Sequence, residues 1–87
     1  VTVGMRIGFH PDVLKQLQRL PREAFGTALR MIIDLGRDPR PAGVKKLAGS
    51  ESDWRIRFGQ YRIVYSVDDT AGVVTVFTVA KRSDAYR

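Results

Sequence analysis

The sequence predicts an α+β fold: a first strand, a two-helix hairpin, then a mainly antiparallel sheet and a short polar C-terminal tail. Three observations predict it. Apolar residues recur at helical spacing between Pro11 and Gly36. From Val44 onward the apolar period changes to two. Prolines and glycines stand where one pattern gives way to the next. The order β, two helices, then four consecutive strands is that of a helical pair laid on one face of a sheet.

The elements follow in order. Val3 to Phe9 alternates loosely and reads as the first strand. In "HPDVLKQLQRLP", Pro11 suits a first helical turn and Asp12 is favourable at its positive end. Val13, Leu14, Leu17 and Leu20 share one helical face, and Pro21 ends this helix and opens the next. In "PREAFGTALRMIIDLG" the apolar stripe is Phe25, Ala28, Leu29, Ile32 and Leu35. Gly36 is the expected C-cap, and "RDPRPAG" cannot continue a helix. "VKKLA" is a short strand candidate. "WRIRF", "YRIVYSV" and "VVTVFTVA" are rich in β-branched and aromatic residues and read as strands. Gly59-Gln60 fits a two-residue type II′ hairpin turn, and "DDTAG" makes the next turn.

The 87 residues form one domain, residues 1–87. Fifteen Lys and Arg against nine Asp and Glu leave a net charge of +6. A small domain this basic is expected to meet a polyanion or an acidic protein. There is no cysteine, which removes disulfides and thiolate zinc sites and fits a reducing cytoplasm. No apolar run approaches the ~20 residues of a membrane span, so no membrane association is expected.

The hairpin register can be worked out from its turn. If Gly59 and Gln60 are the turn, Phe58 pairs with Tyr61, Arg57 with Arg62, Ile56 with Ile63, Arg55 with Val64 and Trp54 with Tyr65. Alternation puts Trp54, Ile56, Phe58, Tyr61, Ile63 and Tyr65 under the helices. It puts Arg55, Arg57, Arg62 and Val64 on the other face. Directly opposed like charges destabilise a sheet by ~0.2–1 kcal/mol, so folding gains nothing from Arg57 facing Arg62. An anion site does, because arginine grips phosphate with a planar fork. With "DDTAG" as the loop, Val67 pairs with Val73 and Arg62 faces Thr78. The same parity carried through Ala80 brings Arg82 onto the arginine face, with Tyr86 close behind.

These residues carry a resemblance. Lys46-Leu47-x-Gly49, Trp54-Arg55-Ile56-Arg57, Gly59-x-Tyr61-Arg62-Ile63-Val64-Tyr65, Lys81-Arg82 and Tyr86-Arg87, in that order, resemble the RelE/ParE toxin superfamily of bacterial toxin–antitoxin systems. The helical hairpin before them fits as well, so the resemblance spans nearly the whole chain. It implies a compact fold similar to small microbial ribonucleases. RelE-type members cut messenger RNA in the ribosomal A site, whereas ParE-type members share the fold and act on DNA gyrase. In the RelE branch, which the residues favour, the positions of Arg62, Arg82 and Tyr86 are catalytic. Arg55, Arg57, Lys46 and Lys81 fall at positions that bind RNA and its phosphates. Relatives often have lysines at the positions of Arg55 and Arg57 and histidine at that of Lys81. The implied partners are a cognate antitoxin, in a hetero-oligomer, and the ribosome with its message.

The chemistry suits the residues. The ribose 2′-OH attacks the adjacent phosphate and the 5′ oxygen leaves, which needs a base, an acid and positive charge around the phosphorane. Arginines supply charge and hold their protons. Tyr86 can serve as base only where neighbouring cations lower its pKa. Alternation points Lys81 away from Arg82. His10, the single histidine, belongs to a helix start rather than to the arginine face. Glu51 and Asp53 read as solvated loop carboxylates, and Trp54 reads as core. No carboxylate–histidine cluster has metal-ligand spacing, and "AGSES" lacks a phosphate-loop core, so neither metal nor cofactor is expected. The reading is a metal-independent, ribosome-dependent endoribonuclease held by an antitoxin. The alternatives are a gyrase inhibitor without catalysis and a degenerate member that binds only its antitoxin.

Overall fold

The computed structural model describes residues 4–49 and 52–81. Its elements are β1 (Arg6–Phe9), α1 (Pro11–Gln18), α2 (Arg22–Leu35), β2 (Lys45–Lys46), β3 (Asp53–Phe58), β4 (Tyr61–Asp68) and β5 (Val73–Lys81). The five strands form one sheet in the order β1-β5-β4-β3-β2. β1 runs parallel to β5, and every other neighbouring pair is antiparallel. No helix among the described residues is long and apolar enough to cross a membrane.

The helices begin and end for local reasons. His10 is the N-cap of α1: its Nδ1 accepts from the Asp12 N–H at 3.3 Å. Val13 and Leu17 are buried and Leu20 packs beside them, but Leu14 is 56% exposed and lies outside the core. In α2, Ala28, Ile32 and Leu35 are buried, while Phe25 at the far end of the stripe is 38% exposed. A short helix covers only part of a sheet, so its apolar stripe outruns the surface available to bury it. Gly36 follows α2 as expected, but with a right-handed φ of −66°. Its lack of a Cβ is needed for close approach instead. The Met5 N–H donates to the Gly36 carbonyl at 2.7 Å, and a Cβ there would meet the Ile33 and Met5 carbonyl oxygens at 3.2 Å.

The core lies between the helices and the inner face of the sheet, where Ile56, Ile63, Tyr65, Val67, Val74, Val76 and Val79 meet Val13, Leu17, Ala28, Ile32 and Leu35. The β3–β4 hairpin has the predicted register at every pair from Trp54↔Tyr65 to Phe58↔Tyr61. Gly59 has φ +55° and no non-glycine residue described has a positive φ. That combination fits the type II′ turn and excludes type I′, which needs positive φ at both central residues.

The β4–β5 register departs from expectation twice. Asp68 pairs with Val73, so Val67 faces Val74 rather than Val73. Asp68 holds the turn itself: its Oδ1 accepts from the Ala71 N–H at 2.9 Å and its carbonyl accepts from the Gly72 N–H at 2.8 Å. Further on, Tyr65 pairs with Val76 and Val64 with Thr78, which leaves Phe77 as the extra residue of a bulge. Arg62 therefore faces Ala80, not Thr78. The two offsets sum to two residues, so Thr78 and Ala80 keep the parity of Arg62.

The segment between α2 and β2 is tied down from two sides. The Tyr65 hydroxyl donates to the Pro39 carbonyl at 2.7 Å. The Arg40 guanidinium donates to both carboxylate oxygens of Asp69, at 2.6 and 3.3 Å, and lies 5.4 Å from the centre of the Trp54 ring. Trp54 is half-buried against the core as expected, and its Nε1 has no hydrogen-bond partner among the described residues.

Candidate functional site

The outer face of the sheet carries the cations. Arg55 and Arg57 come from β3 and Arg62 from β4, with Arg57 and Arg62 directly opposed. β2 adds a cation that the sequence reading omitted: Lys45 pairs with Arg55 and so shares its face. The adjacent lysines of "KK" differ only in register, and nothing in the sequence sets the register of a two-residue strand. Lys46 pairs with Trp54 and has the opposite parity. Lys81 pairs with Tyr61 and also has the inner-face parity, as alternation requires. Arg82 and Tyr86 lie outside the described residues.

Burial differs sharply within this face. Arg57 is exposed and Arg55 half-buried, while Arg62 keeps only 6% of its surface and is the single buried charged residue among those described. A guanidinium on a central strand holds its charge whatever the local field, so Arg62 is a fixed positive charge in a partly dehydrated setting. Where β2 ends, a recess of about 440 Å³ is lined by Lys45, Arg55 and Arg57 together with Met31, Gly43 and Ile56. It is wide enough for a phosphate and presents cations from two strands. A second recess, of about 460 Å³, lies beside Lys46, Leu47, Ala48 and Arg55. Arg55 thus stands between the two.

Acid–base groups are scarce here. His10 is occupied in capping α1, and its ring lies 6.3 Å from that of Phe77. Asp53 is the first residue of β3, opposite Ser66, rather than a loop residue as expected. Glu51 lies outside the described residues. Tyr65 is fully buried with its hydroxyl engaged, and burial pushes its pKa up to about 12, against the pull of the nearby Arg40 charge. A tyrosine so shifted keeps its proton. What the described residues offer is therefore dense, fixed positive charge on one face, suited to holding a phosphodiester and stabilising negative charge that develops on it.

Relatives of known kind share this architecture. Residues 7–86 match the family model described as the ParE toxin of type II toxin–antitoxin system, parDE. The chain is 31% identical over 85 residues to toxin RelG of Mycobacterium tuberculosis, covering 93% of this chain and 94% of that protein. It is similar to a chain in the crystal structure of the archaeal RelE–RelB complex from Pyrococcus horikoshii OT3. That match has a TM-score of 0.82 and 31% identity, over 94% of this chain and 99% of the other. It is similar also to a chain of the intact E. coli RelBE toxin–antitoxin complex, with a TM-score of 0.77 and 28% identity, over 88% and 95% of the two chains. With nearly its full length matched and an arginine face built on the shared sheet, the chain belongs to the ParE toxin family of type II toxin–antitoxin systems, with RelE-type toxins as its neighbours in sequence and structure.

Proposed function

We propose that this toxin is a ribosome-dependent endoribonuclease that cuts messenger RNA in the A site. The observation that carries the reading is the opposed pair Arg57 and Arg62, one exposed and one buried, on a face that also bears Arg55 and Lys45. In this reading the scissile phosphate lies over that pair. Arg57 reaches it from solvent and Arg62 supplies charge from within the sheet. As the 2′-OH attacks and the 5′ oxygen departs, the excess negative charge on the phosphorane meets guanidinium groups already in place. Arg82 adds a further charge, Tyr86 takes the proton from the 2′-OH, and the departing 5′ oxygen takes its proton from solvent. Arginine charge does the electrostatic work that a metal ion would otherwise do. Lys46 and Lys81, whose parity differs, hold RNA on either side of the reacting nucleotide.

The described strand residues of this face include no histidine, and the carboxylates that share its parity, Asp53 and Asp68, stand at strand ends, so naked RNA is a poor substrate. The ribosome supplies the orientation of the 2′-OH, a contribution on the order of several kcal/mol. A cognate antitoxin, which the similarity to chains from RelE–RelB complexes supports, masks the cationic surface in the resting cytoplasm. The match to the ParE toxin model favours a second reading, gyrase inhibition without catalysis. Toeprinting on programmed ribosomes, run beside a DNA supercoiling assay, separates the two. New cuts at the A-site codon support the nuclease. Intact messages with blocked supercoiling replace it with the second reading.

A further inference from the structure

The bulge at Phe77 re-aims a side chain. Val76 before it is buried under the helices, and Thr78 after it pairs with Val64 on the outer face. Alternation from Val74 and Val76 gives Phe77 the outer parity, so two consecutive residues, Phe77 and Thr78, share that face. Folding gains little from a phenylalanine there, because 38% of its surface stays exposed. The His10 ring stands beside it, off the end of β1, at 6.3 Å between centres and with the two planes 48° apart. That imidazole is itself held in place, since its Nδ1 accepts the Asp12 N–H at the start of α1.

One row of residues across the sheet joins this aromatic pair to the cations. Thr78 pairs with Val64, Val64 with Arg55 and Arg55 with Lys45. Thr78, Val64 and Ala80 have short side chains, so the floor between Phe77 and the arginines is low. Strand spacing and rise put Phe77 roughly 10 Å from the opposed pair Arg57 and Arg62, a span that one or two extended nucleotides cover. We propose that Phe77, with His10 at its side, stacks an unpaired base of the message close to the cut, while the intervening phosphate lies over Arg55 and Lys45. The inference rests on the nuclease reading and adds to it the place where a flanking base is held. Aromatic faces set beside a cationic track are a general means of holding unpaired RNA, since every base has a face to stack. The aromatic end suits a base and not a phosphate, because the Asp12 carboxylate lies 3.6 Å from His10 Nδ1.

The test is cleavage kinetics on programmed ribosomes with the full chain. Phe77→Leu keeps the apolar bulk and loses the aromatic face. It is expected to raise KM for A-site cleavage by about tenfold, with kcat within about twofold of wild type and melting level. Phe77→Tyr, which keeps the face, is expected to retain the wild-type KM. A direct probe is a short 2′-O-methyl RNA, which cannot be cut, carrying 2-aminopurine at one position at a time. At one position its fluorescence is expected to fall on binding wild type or Phe77→Tyr, and to stay high with Phe77→Leu. A wild-type KM in Phe77→Leu, or quenching at every position that survives the substitution, overturns the platform and leaves the nuclease standing. Messages left uncut by the wild-type toxin overturn the nuclease instead, and quenching that Phe77→Leu abolishes still supports the platform. A Phe77→Leu variant that loses affinity for a cognate antitoxin and keeps its KM overturns the base in favour of that protein.

Discussion

Arg57 and Arg62 stand opposite each other across the β3–β4 ladder, yet Arg57 is exposed and Arg62 is only 6% exposed. The difference follows from strand order. Arg57 lies on β3 beyond the two residues of β2, where the sheet has run out. Arg62 lies on β4, between β3 and β5, where neighbours crowd it from both sides.

Replacing either arginine by an unbranched apolar chain of similar length separates charge from shape. Arg57→Met and Arg62→Met are each expected to cut ribosome-dependent cleavage by ~10²–10³-fold. Melting should stay level, or rise slightly as the opposed charges are relieved, by ~0.2–1 kcal/mol. Toeprinting and thermal melting on the same preparations decide it. Full cleavage by either variant removes that residue from the site, and a collapse in melting temperature makes it structural.

Tyr86→Phe keeps the ring for stacking on a base and loses only the hydroxyl. Cleavage should slow while binding to programmed ribosomes persists. Equal cleavage rates for variant and wild type would end the proton-acceptor role. Unchanged growth arrest with intact messages would point instead to gyrase.

The ion pair of Arg40 and Asp69 is acid-sensitive. The hydrogen bond from Arg40 holds the Asp69 carboxyl below its ordinary value of 3.8. A carboxylate depressed in the folded state adds stability above the unfolded value and loses it as pH falls through the folded one. Asp69→Asn should therefore melt lower than wild type at pH 7, and the gap should close below about pH 3.8. Because the pair is exposed, added salt should narrow the gap as well. A gap that persists in acid would show that the asparagine acts through the turn and not through charge.

Tyr65 gives the opposite limb. Burial raises its pKa to about 12, so the folded chain holds a proton that the unfolded chain releases near the ordinary value of 10. Its contribution is complete below pH 10 and declines as pH rises toward 12. Tyr65→Phe strands the Pro39 carbonyl and should cost about 1 kcal/mol at neutral pH. It should also flatten the alkaline fall in stability. Ultraviolet titration checks the proton directly: wild type should show a late-titrating tyrosine that the variant lacks.

Much of this was legible from sequence because the determinants are local. Gly59 sets the hairpin turn, and a two-residue turn leaves one register, from which the opposition of Arg57 and Arg62 follows. The rest depends on contacts distant in the chain. The bulge at Phe77 leaves no mark in composition, since phenylalanine suits a regular strand equally well. The depth of Arg62 depends on which strands flank β4, and Lys45 on how a two-residue strand docks. Arg40 reads as one more loop cation until the fold brings Asp69, 29 residues away, within 2.6 Å.

The bulge makes chain length part of the design of the last strand. Val74 and Val76 face the core before it and Val79 after it, so even-numbered residues point inward on one side of Phe77 and odd-numbered ones on the other. Deleting Phe77 itself would join Val76 to Thr78 in a regular strand and leave Val79 inward and Ala80 outward, whereas a single deletion elsewhere in β5 that kept the bulge would turn the residues on one side of it over. Gains or losses in pairs would preserve the sense of both faces. Drift in this stretch is thus quantised: away from the bulge, single-residue length changes in β5 should be scarce among functional variants even where the side chains themselves vary freely, and loss of the bulge residue is the one such change that keeps both faces.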